Sequence, residues 1–137
     1  MAERALGWKD GNPIVIDALG RSKDLRVLGV LSENLYGGKD TRSHAADALG
    51  EIFLANPEID RVIYQRRVYP AISALIDVLQ HEKNATVRAK VAAALGKAKV
   101  PRAIPVLTDA KYDDDAGVRS NARRALREIG HAHAKKE

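Results

Sequence analysis

Few side chains in this sequence have the type and spacing for chemistry. His81 and Glu82 are adjacent, and His131 and His133 are separated by one alanine. Imidazole and carboxylate are ligands for a divalent metal, but neither group supplies the three or four donors such an ion needs. The expected states are a solvated turn for His81 and a polar, unstructured chain end for His131 and His133. Arg42, Arg88 and Arg119 recur at intervals of 46 and 31 residues. Regular recurrence argues against a private active site and for a ladder of bonds to acidic turns of the same or the next repeat. Gly50 and Gly96 fit close helix packing or chain exit, since no phosphate-binding fingerprint accompanies them. No Ser/His/Asp set follows from spacing, so no catalytic residue, no metal site and no cofactor is assigned.

The 137 residues, 45% hydrophobic and 30% charged, fit one domain. Cysteine is absent, which removes disulfides, thiolate metal sites and a cysteine nucleophile. No apolar stretch approaches the roughly 18 residues of a membrane span, and no basic-then-apolar leader opens the chain, so a cytoplasmic protein without membrane contact is expected. The net charge of +5 is uneven: from Gly117 onward Arg119, Arg123, Arg124, Arg127, Lys135 and Lys136 face only Glu128 and Glu137. That pattern is a near-neutral body with one basic end.

The elements that position these residues repeat. Ala18-Leu19-Gly20 through Leu31 aligns without a gap on Ala94-Leu95-Gly96 through Leu107. Arg42, Ala45, Ala48, Leu49 and Ile52 likewise match Arg119, Ala122, Ala125, Leu126 and Ile129. A unit of about 31 residues with one insertion of about 15 accounts for both arginine intervals. Each unit reads as two helices. The second carries the stripes Ala45/Ala48/Leu49/Ile52, Val87/Val91/Ala94/Leu95/Ala98 and Val118/Ala122/Ala125/Leu126/Ile129. The first carries Leu25/Leu28/Leu31/Leu35, Ile72/Leu75/Ile76/Leu79 and Ile104/Leu107/Ala110. Asp40, Asn84 and Asp115 are placed to cap the second helices, and Pro70 and Pro101 to open first helices. A single helix pair cannot cover its own apolar face, so the pairs must stack.

The expected fold class is all-α, an α-α superhelix of three to four helix pairs in one domain. Residues 1–20 form a cap or degenerate repeat, 21–55 a repeat, 56–68 an insertion, 69–98 and 99–130 two repeats, and 131–137 a tail. The insertion is expected to add a short helix, with Ile59, Val62 and Ile63 packed and Arg61, Tyr64 and Arg67 outward.

Ala103-Ile104-Pro105-Val106-Leu107, the acidic turn Asp113-Asp114-Asp115, Val118-Arg119 and Ala125-Leu126-Arg127-Glu128-Ile129 together resemble the short HEAT-like repeats of the phycobilisome-lyase type. Asp40-Thr41-Arg42 with Ala48-Leu49-Gly50-Glu51-Ile52 is a further copy. The resemblance covers about Ala18 to Gly130. It implies an α-solenoid whose second helices line the concave side. An iron hydroxylase of this repeat class carries His-Glu dyads early in its second helices; the equivalent positions here read Ser43-His44, Ala89-Lys90 and Ser120-Asn121, so the dyad is missing.

Off the buried stripe, the exposed columns are His44, Lys90 and Asn121, then Asp47, Ala93 and Arg124, then Glu51, Lys97 and Glu128. Arg127 joins them on the basic last helix, and Arg61, Tyr64, Arg66 and Arg67 on the insertion, where Arg and Tyr are residue types favoured at interface centres. The leading expectation is a non-catalytic adaptor that binds a protein partner on the second-helix surface. Alternatives are nucleic-acid binding through Arg123, Arg124, Arg127, Lys135 and Lys136 with the Arg/Tyr insertion, and, by resemblance, a bilin lyase or chaperone-like subunit.

Overall fold

A computed structural model describes residues 11–134. Among them every regular element is helical. In chain order they are α1 (Pro13–Arg21), a 3₁₀ turn (Leu25–Val27), α2 (Leu28–Asn34), α3 (Lys39–Ala55), α4 (Arg61–Ile63), a π-helical turn (Tyr64–Val68), α5 (Tyr69–His81), α6 (Ala85–Ala98), a second 3₁₀ turn (Pro101–Ala103), α7 (Ile104–Ala110) and α8 (Ala116–Ala134). The second helices lie side by side, α1 on α3, α3 on α6 and α6 on α8, while α2, α5 and α7 pack behind α3, α6 and α8. The fold is an all-α solenoid with one continuous apolar core.

The second-helix stripes form that core. Ala45, Ala48, Leu49 and Ile52, then Val87, Val91, Ala94 and Leu95, then Val118, Ala122, Ala125 and Ile129 are all buried, with Ala98 and Leu126 half-buried. Leu28, Leu31, Leu35, Ile72, Leu75 and Leu107 meet them from the first helices. In α7 the stripe differs from the expected one: Ile104 is 41% exposed, and Ala103 and Val106 are buried instead. The Pro101 turn rotates the helix start so that Ile104 points outward.

Caps explain most boundaries. Asn12 accepts from the Ile14 amide at 2.7 Å, Asn84 from Val87 at 3.1 Å and Asp115 from Val118 at 3.0 Å. Asp40 does not cap. Gly38 is the N-cap of α3, and Asp40 sits exposed within the first turn, where its charge favours the helix dipole. The last helix also runs past the expected end of the repeat at Gly130, so His131 and His133 are helical rather than tail. Residues 1–10 of the expected cap, and Lys135 and Lys136, lie outside the described residues.

The insertion is more regular than its sequence. Asp60 caps it, accepting from Val62 at 2.7 Å, and the helix then runs through the π turn into α5 without a break. The Tyr69 amide donates to the Tyr64 carbonyl five residues back, which inserts one extra residue into the turn. This corrects the expected facing. Ile59 packs on the core, but Val62 is 57% exposed and Ile63 is exposed, while Tyr64 is half-buried against the core. Arg61, Arg66 and Arg67 are exposed.

Two buried polar side chains tie the first turn down. Asn34 donates to the Val30 carbonyl at 2.8 Å and accepts from the Gly11 amide at 2.9 Å, and Thr41 donates to the Gly11 carbonyl at 3.2 Å. Among the described residues no buried side-chain polar atom is left without a partner, as a packed interior requires.

Candidate functional site

The recurring arginines form a ladder between repeats. Arg42 donates through Nε and Nη2 to the two Glu82 carboxylate oxygens at 2.8 and 2.9 Å, and through Nη1 to the Gly37 carbonyl at 2.9 Å. Arg88 does the same one repeat later, to Asp113 at 2.9 and 2.9 Å, with Nη1 on the Glu82 and Lys83 carbonyls. Each pair is a two-pronged, charge-assisted contact, the strongest kind available to arginine. Glu82 and Asp113 also accept the amides of Asn84 and Asp115, so each carboxylate shapes its own turn while gripping the previous repeat. The Arg88 hydrogen bonds hold the Asp113 carboxyl below the usual carboxylate range, and Asp113 raises Arg88 in turn. Glu82 is therefore a structural partner of Arg42, not half of a metal pair with His81. The His81 ring sits on its own helix, 2.9 Å from the Asp77 carbonyl.

A second ladder crosses the exposed columns. His44 lies 2.8 Å from Asp17, Lys90 donates to Asp47 at 2.8 Å, and Asn121 donates to the Ala89 carbonyl at 2.8 Å. Four sequence-singled residues, His44, Asp47, Lys90 and Asn121, thus have neighbouring repeats as their first partners. The Lys90–Asp47 ion pair keeps a third or more of its side-chain surface in water, so it contributes at most about 1 kcal/mol.

The third column leads, through Lys97, to a cleft. Glu51 is exposed beside Gly20, Glu128 lies beside Gly96, and the Lys97 side chain crosses Gly50. Past Lys97, the ends of α3, α6 and α8 and the insertion enclose a cleft of about 780 Å³. Phe53 is buried in its wall, and Leu54, 56% exposed, Ile59 and Tyr64 supply apolar surface. Lys97, Lys99 and His133 supply the polar surface, with the His133 ring 3.0 Å from the Lys99 carbonyl. A smaller depression on Leu54, Lys97 and His131 continues it across the second helices.

The structure therefore brings Tyr64 and Lys97 together and leaves Arg61, Arg66, Arg67, Arg124 and Arg127 exposed elsewhere. Sequence reasoning missed Phe53 and Leu54. The signal was present: two large apolar residues follow Ile52, one more than a single stripe can bury. Sequence reasoning expected the acidic turns to accept the arginine ladder, as they do, but did not single out Glu82 and Asp113 within them, although both stand two residues before the capping Asn84 and Asp115. Among the described residues no group of three or more His, Asp or Glu side chains is arranged to hold a metal ion, and no helix is long and apolar enough to cross a membrane. His131 and His133 are two residues apart on one helix, a spacing that points side chains to different sides.

No curated protein matches the chain. A family model for HEAT repeats matches residues 39–127, from the start of α3 to the arginine that replaces the helix glycine in α8. Stacked helix pairs, a shared core and a ladder from each repeat to the next are the physical content of that match, and the chain belongs to the HEAT-repeat family.

Proposed function

We propose that this chain is a non-catalytic protein-binding module that receives its partner on the second-helix surface, at the end closed by the insertion. HEAT repeats are in general a protein-interaction architecture, and extended repeat surfaces suit that role. The observation that carries the reading is the cleft of about 780 Å³. Its apolar wall, Leu54, Ile59 and Tyr64 over Phe53, would take a partner's aliphatic or aromatic side chain. Lys97 and Lys99 at the rim would take an acidic residue beside it. Apolar contact at the centre with charges at the edge is the layout of interfaces in which a few anchors carry most of the affinity. The finer likeness to phycobilisome-lyase repeats rests on motif residues that build turns and core, which favours shared architecture over shared chemistry.

Site-directed photo-crosslinking in the producing cell tests the proposal. A crosslinker at Leu54 is expected to capture one partner reproducibly, a crosslinker at Tyr112, exposed after α7, is not, and Leu54→Arg should abolish capture from a neighbouring probe at Glu51. Equal capture at Leu54 and Tyr112, or capture unaffected by Leu54→Arg, would remove this surface from consideration.

A further inference from the structure

Among the described residues the ladder has one rung with no acceptor. Arg119 is the third arginine of the series, and its Nη1 donates to the Asp113 and Asp114 carbonyls at 2.8 and 2.9 Å, as Arg88 Nη1 does to Glu82 and Lys83. The guanidinium is thus held in the same pose. Yet among the described residues no carboxylate meets the Nε–Nη2 edge that in Arg42 and Arg88 grips Glu82 and Asp113.

The surrounding face has changed character as well. Four and eight residues after the ladder arginine, α3 carries Ala46 and Gly50 and α6 carries Ala92 and Gly96, all buried against the next second helix. In α8 the same positions are Arg123 and Arg127, both exposed. A further second helix cannot approach α8 as closely as α6 approaches α3, because two long cations stand where a methyl group and a hydrogen stand inside the stack. Arg119, Arg123 and Arg127 instead form a column with a rise of about 6 Å per step. Arg124, at the position of Asp17 and Asp47, adds a fourth cation beside it.

From this geometry we infer that the outer face of α8 is a docking surface for an acidic protein segment, one carboxylate forking onto Arg119 and further carboxylates at matching intervals on Arg123 and Arg127. The occupant's chemistry is set by the chain itself, which twice places an Asp or Glu carboxylate on this arginine edge at 2.8 to 2.9 Å. A planar fork recognises a carboxylate in a way a lysine ammonium does not. This surface is separate from the cleft, so either can fail without the other.

The test is fluorescence anisotropy of the purified chain with a labelled helical peptide bearing glutamate at three positions four residues apart. Its glutamine counterpart and a single-stranded oligonucleotide of equal charge serve as the other arms. The glutamate peptide is expected to bind best and to weaken with salt. Arg119→Lys, which keeps the charge but loses the fork, should weaken it by roughly tenfold. Arg123→Ser, on an exposed site where folding is not in question, should also weaken it, and Arg67→Ser on the insertion should not. Equal binding of the glutamate and glutamine peptides would overturn the inference. So would tighter binding of the oligonucleotide, loss on Arg67→Ser as large as on Arg123→Ser, or indifference to both Arg119→Lys and Arg123→Ser.

Discussion

Gly96 of α6 lies so close to Ala125 of α8 that a Cβ at position 96 would fall 2.7 Å from both its Cα and its Cβ. Gly50 holds the equivalent place one repeat earlier, but there the nearest backbone atom is Ala94 Cα at 3.4 Å, and the closer contact, Lys97 Cδ at 3.1 Å, belongs to a flexible side chain. The two helix pairs are therefore spaced differently although their residues match. Gly96→Ala should destabilise by about 1–3 kcal/mol because backbone must shift. Gly50→Ala should be neutral, or stabilising by up to about 1 kcal/mol from helix propensity. Urea denaturation of the two variants checks this, and equal losses would refute the difference in spacing.

The Arg88–Asp113 pair predicts an acid dependence. Because Asp113 titrates below its ordinary range in the folded chain, its contribution is fully present above the unfolded carboxylate value of about 4 and is lost as pH falls toward the folded value. Asp113→Asn should cost about 1–3 kcal/mol at neutral pH, since it leaves a half-buried guanidinium without its charged partner. The variant's thermal stability should then fall less steeply than wild type between pH 5 and 3. Parallel acid profiles would show that the pair does not titrate as described.

Lys23 and Lys99 occupy equivalent positions after α1 and α6, and both are left-handed, with φ of 58° and 56°. A side chain in that region costs about 1 kcal/mol, which glycine avoids. Lys23→Gly should therefore raise stability by about 0.5–1 kcal/mol in thermal melts, despite glycine's greater freedom when unfolded. A loss would mean that the aliphatic stem of Lys23 contributes packing larger than the strain.

Asn34 offers a local test. Replacing it by alanine removes its bonds to the Gly11 amide and the Val30 carbonyl, at a cost of about 1–3 kcal/mol for the unpaired buried group. Hydrogen exchange should quicken first at Gly11 and through α1, with α6 and α8 unchanged. Uniform acceleration would instead mean that α1 unfolds only with the whole stack.

The stripes of α3, α6 and α8 were legible in the sequence because a buried helix face imposes the same spacing wherever it occurs. The arginine ladder was legible as a recurrence, and the acidic turns as its acceptors. What period alone could not supply was facing. Ile104 follows a proline turn that rotates it outward, and Tyr64 sits in a π turn that shifts every side chain before it. Among the candidate residues, His44, Asp47, Lys90 and Asn121 looked like open surface because their partners lie 27 to 43 residues away, across repeats. The cleft was invisible for the same reason: its walls come from the ends of three helices and a loop that the sequence keeps far apart.

The widened turn at Tyr64–Val68 has an evolutionary consequence. One residue of α-helix corresponds to a rotation of about 100°, so loss of a single codon there would convert the turn to ordinary helix and swing Arg61, Val62 and Ile63 round by that angle. Nothing downstream of Tyr69 would need to move. Deletion of one residue would thus re-aim one edge of the molecule while leaving every rung between repeats in register.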